Sequence, residues 1–237
     1  MQTRREVLTK CGAGLAAIIA AGKAPAAVVR AMLGARSGIN KPQEPSSPYL
    51  REVEWLGATG AQFLILPAPP RSCRFDYSIR AYNSGDYYSE MLGCKKNGSY
   101  SAFQIIIGGG ISDYPTVTMY DRVMFTSSRS IWQEIEVSGT NFSVDGTIVK
   151  SNFNNAFNLG WEPSGLGLFA TCTDVGTRYG SSNGHRIARF SHSINGEKIS
   201  DLIPVIDWQH TPCMYDKVSG QFFHNAGTGR FLTNEDA

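Results

Sequence analysis

The sequence has no Lys/Arg tract, no Cys-x-x-Cys or His-x-His pair, no Gly-x-Ser-x-Gly elbow and, after residue 35, no uninterrupted helical period. Each absence excludes something. Without a run of cations there is no electrostatic footprint for nucleic acid. Lys and Arg total 22 against 20 Asp and Glu, and Arg4, Arg5, Lys10, Lys23 and Glu6 all lie in the first 26 residues, so the remainder is almost neutral. Without Cys-x-x-Cys spacing, zinc ribbons and thioredoxin-like redox chemistry are disfavoured. His185, His192, His210 and His224 show no metal-ligand spacing either. "WEPSGLG" sets Ser164 among small residues, but Glu162 and Leu166 stand where a nucleophile elbow needs glycine. "IIIGGG" (105–110) leads into "ISDYP", where Pro115 denies the helix that a phosphate loop requires.

Among what is present, the front end stands apart. "TRREVLTKCGAGLAAIIAAG" puts Arg4 and Arg5 ahead of an uncharged run from Cys11 to Gly22, and "APA" (24–26) offers the small side chains that a signal peptidase admits. The run is shorter than the roughly 20 apolar residues of a membrane helix, so no stable span is expected. Residues 1–26 read as a signal peptide, with cleavage after Ala35 as the second choice. An amphipathic helix docked on the body is the alternative. Residues 27–48 read as a linker whose second part, "RSGINKPQEPSSP", holds three prolines among small polar residues. The body, 49–237, is long enough for one large β domain. Its cysteines, Cys73, Cys94, Cys172 and Cys213, are even in number and permit two disulfides, but their wide spacing forms no compact framework. Small buried side chains are the expectation.

Period two dominates the body. In "RFDYSIRAY", Phe75, Tyr77, Ile79 and Ala81 share one face, while Arg74, Asp76, Ser78 and Arg80 share the other. In "IWQEIEV", Ile131, Ile135 and Val137 oppose Trp132, Glu134 and Glu136. "KNGS", "VDGT", "SNGH" and "INGE" supply Asn-Gly and Asp-Gly pairs suited to two-residue hairpin turns. Many short strands at such spacing predict an all-β sandwich or barrel.

The ending "DLIPVIDWQHTPCMYDKVSGQFFHNAGTGRF" resembles the last strands of LamG-like, concanavalin A-like domains, through Ile203, Pro204, Tyr215, Asp216, Lys217, Phe222, Phe223, Asn225, Gly227, Thr228, Gly229 and Phe231. "FSVDGTIV" (142–149) resembles a hairpin of that family, and "YLREVEWLGATGAQFLIL" (49–66) its opening strands, with Gly57, Gly60 and Gln62 in place. The resemblance implies an antiparallel jelly-roll β-sandwich of the kind found on bacterial surface and phage tail proteins. "TRREVLTK" is in turn similar to a twin-arginine (Tat) export signal, which implies a periplasmic, cell-surface or secreted protein. Some proteins of this fold hold calcium through loop carboxylates and carbonyls; no ligands can be assigned here, and no other cofactor is indicated.

Two chemistries remain. Glu134 and Glu136 share a strand face, as the paired carboxylates of a sandwich-fold glycoside hydrolase would, but the third acid of that motif is missing, since Ser138 and Gly139 follow Val137. Binding is the better expectation. The chain holds 4 Trp, 10 Tyr and 12 Phe, and an aromatic plane stacks on the apolar face of a sugar ring. Trp132 on the polar face of its strand, Trp161 in a loop, and Tyr87 and Tyr88 after a turn are the candidate ligand-binding residues. A non-catalytic module that binds carbohydrate or a cell-surface glycan is expected, with a structural or adhesion module for protein partners as the alternative.

Overall fold

The computed structural model describes residues 47–84, 89–96, 102–107, 116–118, 122–124, 130–158, 161–175, 178–179 and 183–236, all within the compact unit Ser47–Ala237. These residues form strands β1 (Arg51–Glu52), β2 (Leu56–Thr59), β3 (Leu64–Leu66), β4 (Ser72–Tyr82), β5 (Ser89–Lys95), β6 (Ala102–Ile107), β7 (Thr116–Thr118) and β8 (Arg122–Met124). There follow β9 (Trp132–Ser138), β10 (Asn141–Val144), β11 (Thr147–Lys150), β12 (Ala156–Asn158), β13 (Leu166–Leu168), β14 (Thr171–Thr173) and β15 (Arg178–Tyr179). The last four are β16 (Asn183–Ile194), β17 (Glu197–Ile206), β18 (Pro212–Asp216) and β19 (Phe222–Phe223). The fold is all-β, and among the described residues no helix is long and apolar enough to cross a membrane.

The strands form two sheets. The larger runs β11-β10-β9-β4-β16-β17-β18-β19, with β2 on β16, β1 on β17 and β12 on β4; the smaller runs β15-β14-β5-β6-β7-β8, with β13 bridging β5 and β3. Both feed one hydrophobic cluster. Phe75, Ile79, Ile135 and Phe190 enter it from the larger sheet, Leu64, Leu92 and Leu168 from the smaller, which gives the molecule a sandwich-like character. Each such side chain, fully buried, contributes roughly 1.5–3 kcal/mol.

Alternation along β4 builds the inner layer. Cys73, Phe75, Tyr77, Ile79 and Ala81 are buried while Arg74 and Arg80 are exposed. β9 departs from the expected pattern at its start: Ile131 is 40% exposed, and Gln133 takes the inner position beside Ile135. The cause lies at the strand's start, since Ser130 adopts a φ of 60° and its amide donates to the Asn83 carbonyl, so the strand begins only at Trp132.

The hairpins β10–β11 and β16–β17 turn through Asp145-Gly146 and Asn195-Gly196, all four with positive φ, as two-residue hairpin turns demand. The pair in "SNGH" does something else. Asn183 and Gly184 open β16, and Gly184 takes its φ of 74° where the pairing with β2 shifts register between Asn183 and Arg186; positive φ serves a bulge there, not a turn. Most of "KNGS" lies outside the described residues.

All four body cysteines are free and buried. The core also holds a histidine. His192 lies between Phe75 and Phe190, with ring centroids 5.2 and 5.5 Å away, and Ser200 Oγ sits 2.7 Å from its Nδ1. Burial lowers its pKa to about 4, against the opposing pull of Asp216, so the ring is neutral.

The C-terminal stretch is stapled to the domain's opening strands. Asn225 Oδ1 accepts from the amides of Phe63 and Gly227, and Asn225 Nδ2 donates to the Gly229 carbonyl. Gly227 lies so close to this segment that a Cβ there would stand 1.9 Å from the Ala61 carbonyl oxygen. Asp207 and Asp216 close the two preceding turns: Asp207 Oδ1 accepts from the amides of Gln209 and Thr211, and Asp216 accepts from those of Asp201, Val218 and Ser219. Burial would raise both carboxyls, but these donors, joined by His224 at Asp207 and the Ser219 hydroxyl at Asp216, hold both below the ordinary range.

Candidate binding face

The outer face of β9, β4, β16 and β2 carries a row of aromatic and charged side chains. Register places Trp132 opposite Tyr82, Tyr82 opposite Arg186, and Arg186 opposite Gly57. The rings of Trp132 and Tyr82 meet at 5.6 Å. The Arg186 guanidinium lies 4.1 Å from the Trp55 ring centroid and 5.0 Å from that of Tyr82. Such cation–π contacts contribute about 0.5–2 kcal/mol each, depending on desolvation. Gly57 lets the indole of Trp55 lie over bare backbone, because a Cβ there would stand 2.9 Å from Trp55 Cζ3. Trp55 itself is buried, so it seats the guanidinium and offers no open plane. The accessible part of the row is Trp132, Tyr82 and Arg186.

A charged row runs beside it. Arg80 faces Glu134 across β4–β9, and its guanidinium sits 6.0 Å from the Trp132 ring. Glu134 is held by Arg189 at 2.9 Å and by the Ser78 hydroxyl. Further along the same strands, Asp76, Ser78, Glu136, Ser138, Ser191 and Ser193 line a shallow groove of about 150 Å³. From Tyr82 to Ser78 the rise along β4 is about 14 Å at 3.4 Å per residue.

The residues expected from sequence fare differently. Trp132 stands on the outer face, half-buried. Trp161 is enclosed at 8% exposure, which leaves a sugar no broad face to stack on, and its indole N–H has no hydrogen-bond partner among the described residues. Tyr87 and Tyr88 lie outside the described residues. Glu134 and Glu136 do share the outer face, with Glu134 bound to Arg189 and Ser78 and Glu136 exposed beside the groove. Tyr82, Arg186 and Trp55 are absent from the sequence-based set. Tyr82 continues the outer series Arg74, Asp76, Ser78, Arg80, so alternation alone could have found it; Trp55 and Arg186 meet only through strand pairing. Trp208, 45% exposed on the turn after β17, is a further open aromatic.

No family model, curated protein or solved structure gives a significant match to this chain.

Proposed function

We propose that this protein is an exported, non-catalytic glycan-binding module built as a jelly-roll β-sandwich of the concanavalin A-like, LamG-like type. The observation that carries the reading is the row Trp132–Tyr82–Arg186, seated on Trp55, on the outer face of the larger sheet. A saccharide ring stacks on Trp132, and Arg80 and the serine-lined groove offer hydrogen bonds to hydroxyls farther along the ligand. Export rests on the twin-arginine-like opening and the small residues before position 27. Mass analysis of the exported fraction tests it: a chain that begins at Ala27 is expected, and an uncleaved chain there overturns the assignment.

The binding test is a glycan array probed with the full chain, followed by titration of the strongest hit against wild type and Trp132→Ala. Binding that falls at least tenfold in the variant supports the reading. An array without hits, or equal affinity in the variant, overturns it. Release of reducing sugar, lost in Glu134→Gln or Glu136→Gln, would make the protein a glycoside hydrolase; capture of a protein ligand alone would make it an adhesion module.

A further inference from the structure

We infer that Asp207, Cys213 and His224 form a zinc site that ties the C-terminal segment to the β17–β18 hairpin. The donor atoms of the three side chains all lie within 4.8 Å of one another. They come from three places: the residue after β17, β18 itself and the residue after β19. Pairing brings them together, since Val205 faces Cys213 and Met214 faces Phe223.

The carboxylate is oriented in advance. Asp207 Oδ1 is occupied by the Gln209 and Thr211 amides at 2.9 and 2.8 Å, and Oδ2 faces His224 Nε2 at 2.8 Å. Bonds of about 2.0–2.1 Å in a tetrahedron put such donors about 3.3 Å apart, so the pair needs to open by only about half an ångström. A nitrogen, a sulfur and an oxygen donor suit zinc, whereas calcium and magnesium take oxygen shells. The charges fit as well: one carboxylate and one thiolate neutralise a divalent ion where Asp207 and Cys213 are both buried. Without metal, burial and then the Asp207 charge push the Cys213 thiol up to about 12. On binding, the metal replaces the thiol proton, which leaves to solvent. The half-exposed His224 side leaves a fourth position to water.

The experiment uses the full chain, stripped with a chelator and titrated with Co²⁺ and then Zn²⁺. One equivalent of Co²⁺ is expected to give a thiolate charge-transfer band, one equivalent of Zn²⁺ to displace it, and Tm to rise with Zn²⁺. Because His224 is half-exposed, His224→Ala should still fold; its metal-free Tm should fall only by the few degrees that the lost His224–Asp207 contact accounts for, while Zn²⁺ affinity falls at least tenfold. Cys213→Ser should lose the band, and His210→Ala, on the same turn as Asp207, should bind as wild type. Absence of a thiolate band at one equivalent, or wild-type affinity in His224→Ala, overturns the site. No residue of the proposed glycan face takes part, so either reading can fail alone.

Discussion

The two faces of β4, β9 and β16 alternate, apart from a bulge between Ile187 and Arg189 in β16, and carry different loads. Inward, Phe75, Ile79, Ile135 and Phe190 are fully buried and fill the core. Outward, Arg80, Trp132, Glu134 and Arg189 form contacts that water reaches. Because period two assigns neighbouring residues to opposite faces, the core and the proposed binding row are written in the same strands yet stay separable by substitution. Breaking the inner face should cost most. Phe75→Ala is expected to lose about 3–5 kcal/mol in urea denaturation; a loss under about 1 kcal/mol would mean the two layers are not packed through this residue.

The next effect is a pH dependence confined to the inner face. Burial lowers the His192 pKa from 6.5 to about 4, so the unfolded chain takes up a proton at higher pH than the folded one. Its contribution is therefore complete above pH 6.5, declines as pH falls from 6.5 to about 4, and totals roughly 3 kcal/mol at about 1.36 kcal/mol per pH unit. Asp207 and Asp216, whose carboxyls are lowered, lose their contributions only below that window. Replacing both members of the buried pair, His192→Phe with Ser200→Ala, should flatten stability across the interval between the two His192 values. A slope that persists in the double variant would assign it to another group.

How much of this was legible in the sequence depends on distance along the chain. "RFDYSIRAY" yields its inner and outer sets by alternation alone, and the Asp-Gly and Asn-Gly pairs at 145–146 and 195–196 mark turns because positive φ is a local property. The same dipeptide at 183–184 makes a bulge, because only the partner strand decides which use of positive φ applies. Ile131 leaves the alternation because the strand's start is set by the Ser130–Asn83 hydrogen bond, a contact between distant segments. Trp161 has a loop-like context, but whether a loop aromatic covers a core or faces water is decided by packing, and this one is enclosed. The Arg186–Trp55 stack and the Asp207–Cys213–His224 cluster depend on strand pairing, which leaves no local signal.

On the outer face the ion pair should matter little for stability. Arg189→Ala removes one partner of Glu134, and because Arg189 is largely exposed the expected loss is below about 1 kcal/mol. A larger loss would mean that the charged row supports the fold and is not free to serve a ligand.

Trp132→Ala should have a small effect on folding and the sharpest on binding. The indole is half-buried and touches Tyr82 and Arg80, so its removal from the outer face should cost no more than about 1 kcal/mol. A stacked saccharide ring would lose its platform, and at about 1.4 kcal/mol per tenfold even a modest stacking contribution emerges as a clear drop in affinity. Equal losses in both measurements would mean that the outer aromatic row is a packing device, and the separation between the two faces would then be one of exposure alone, with no functional division behind it.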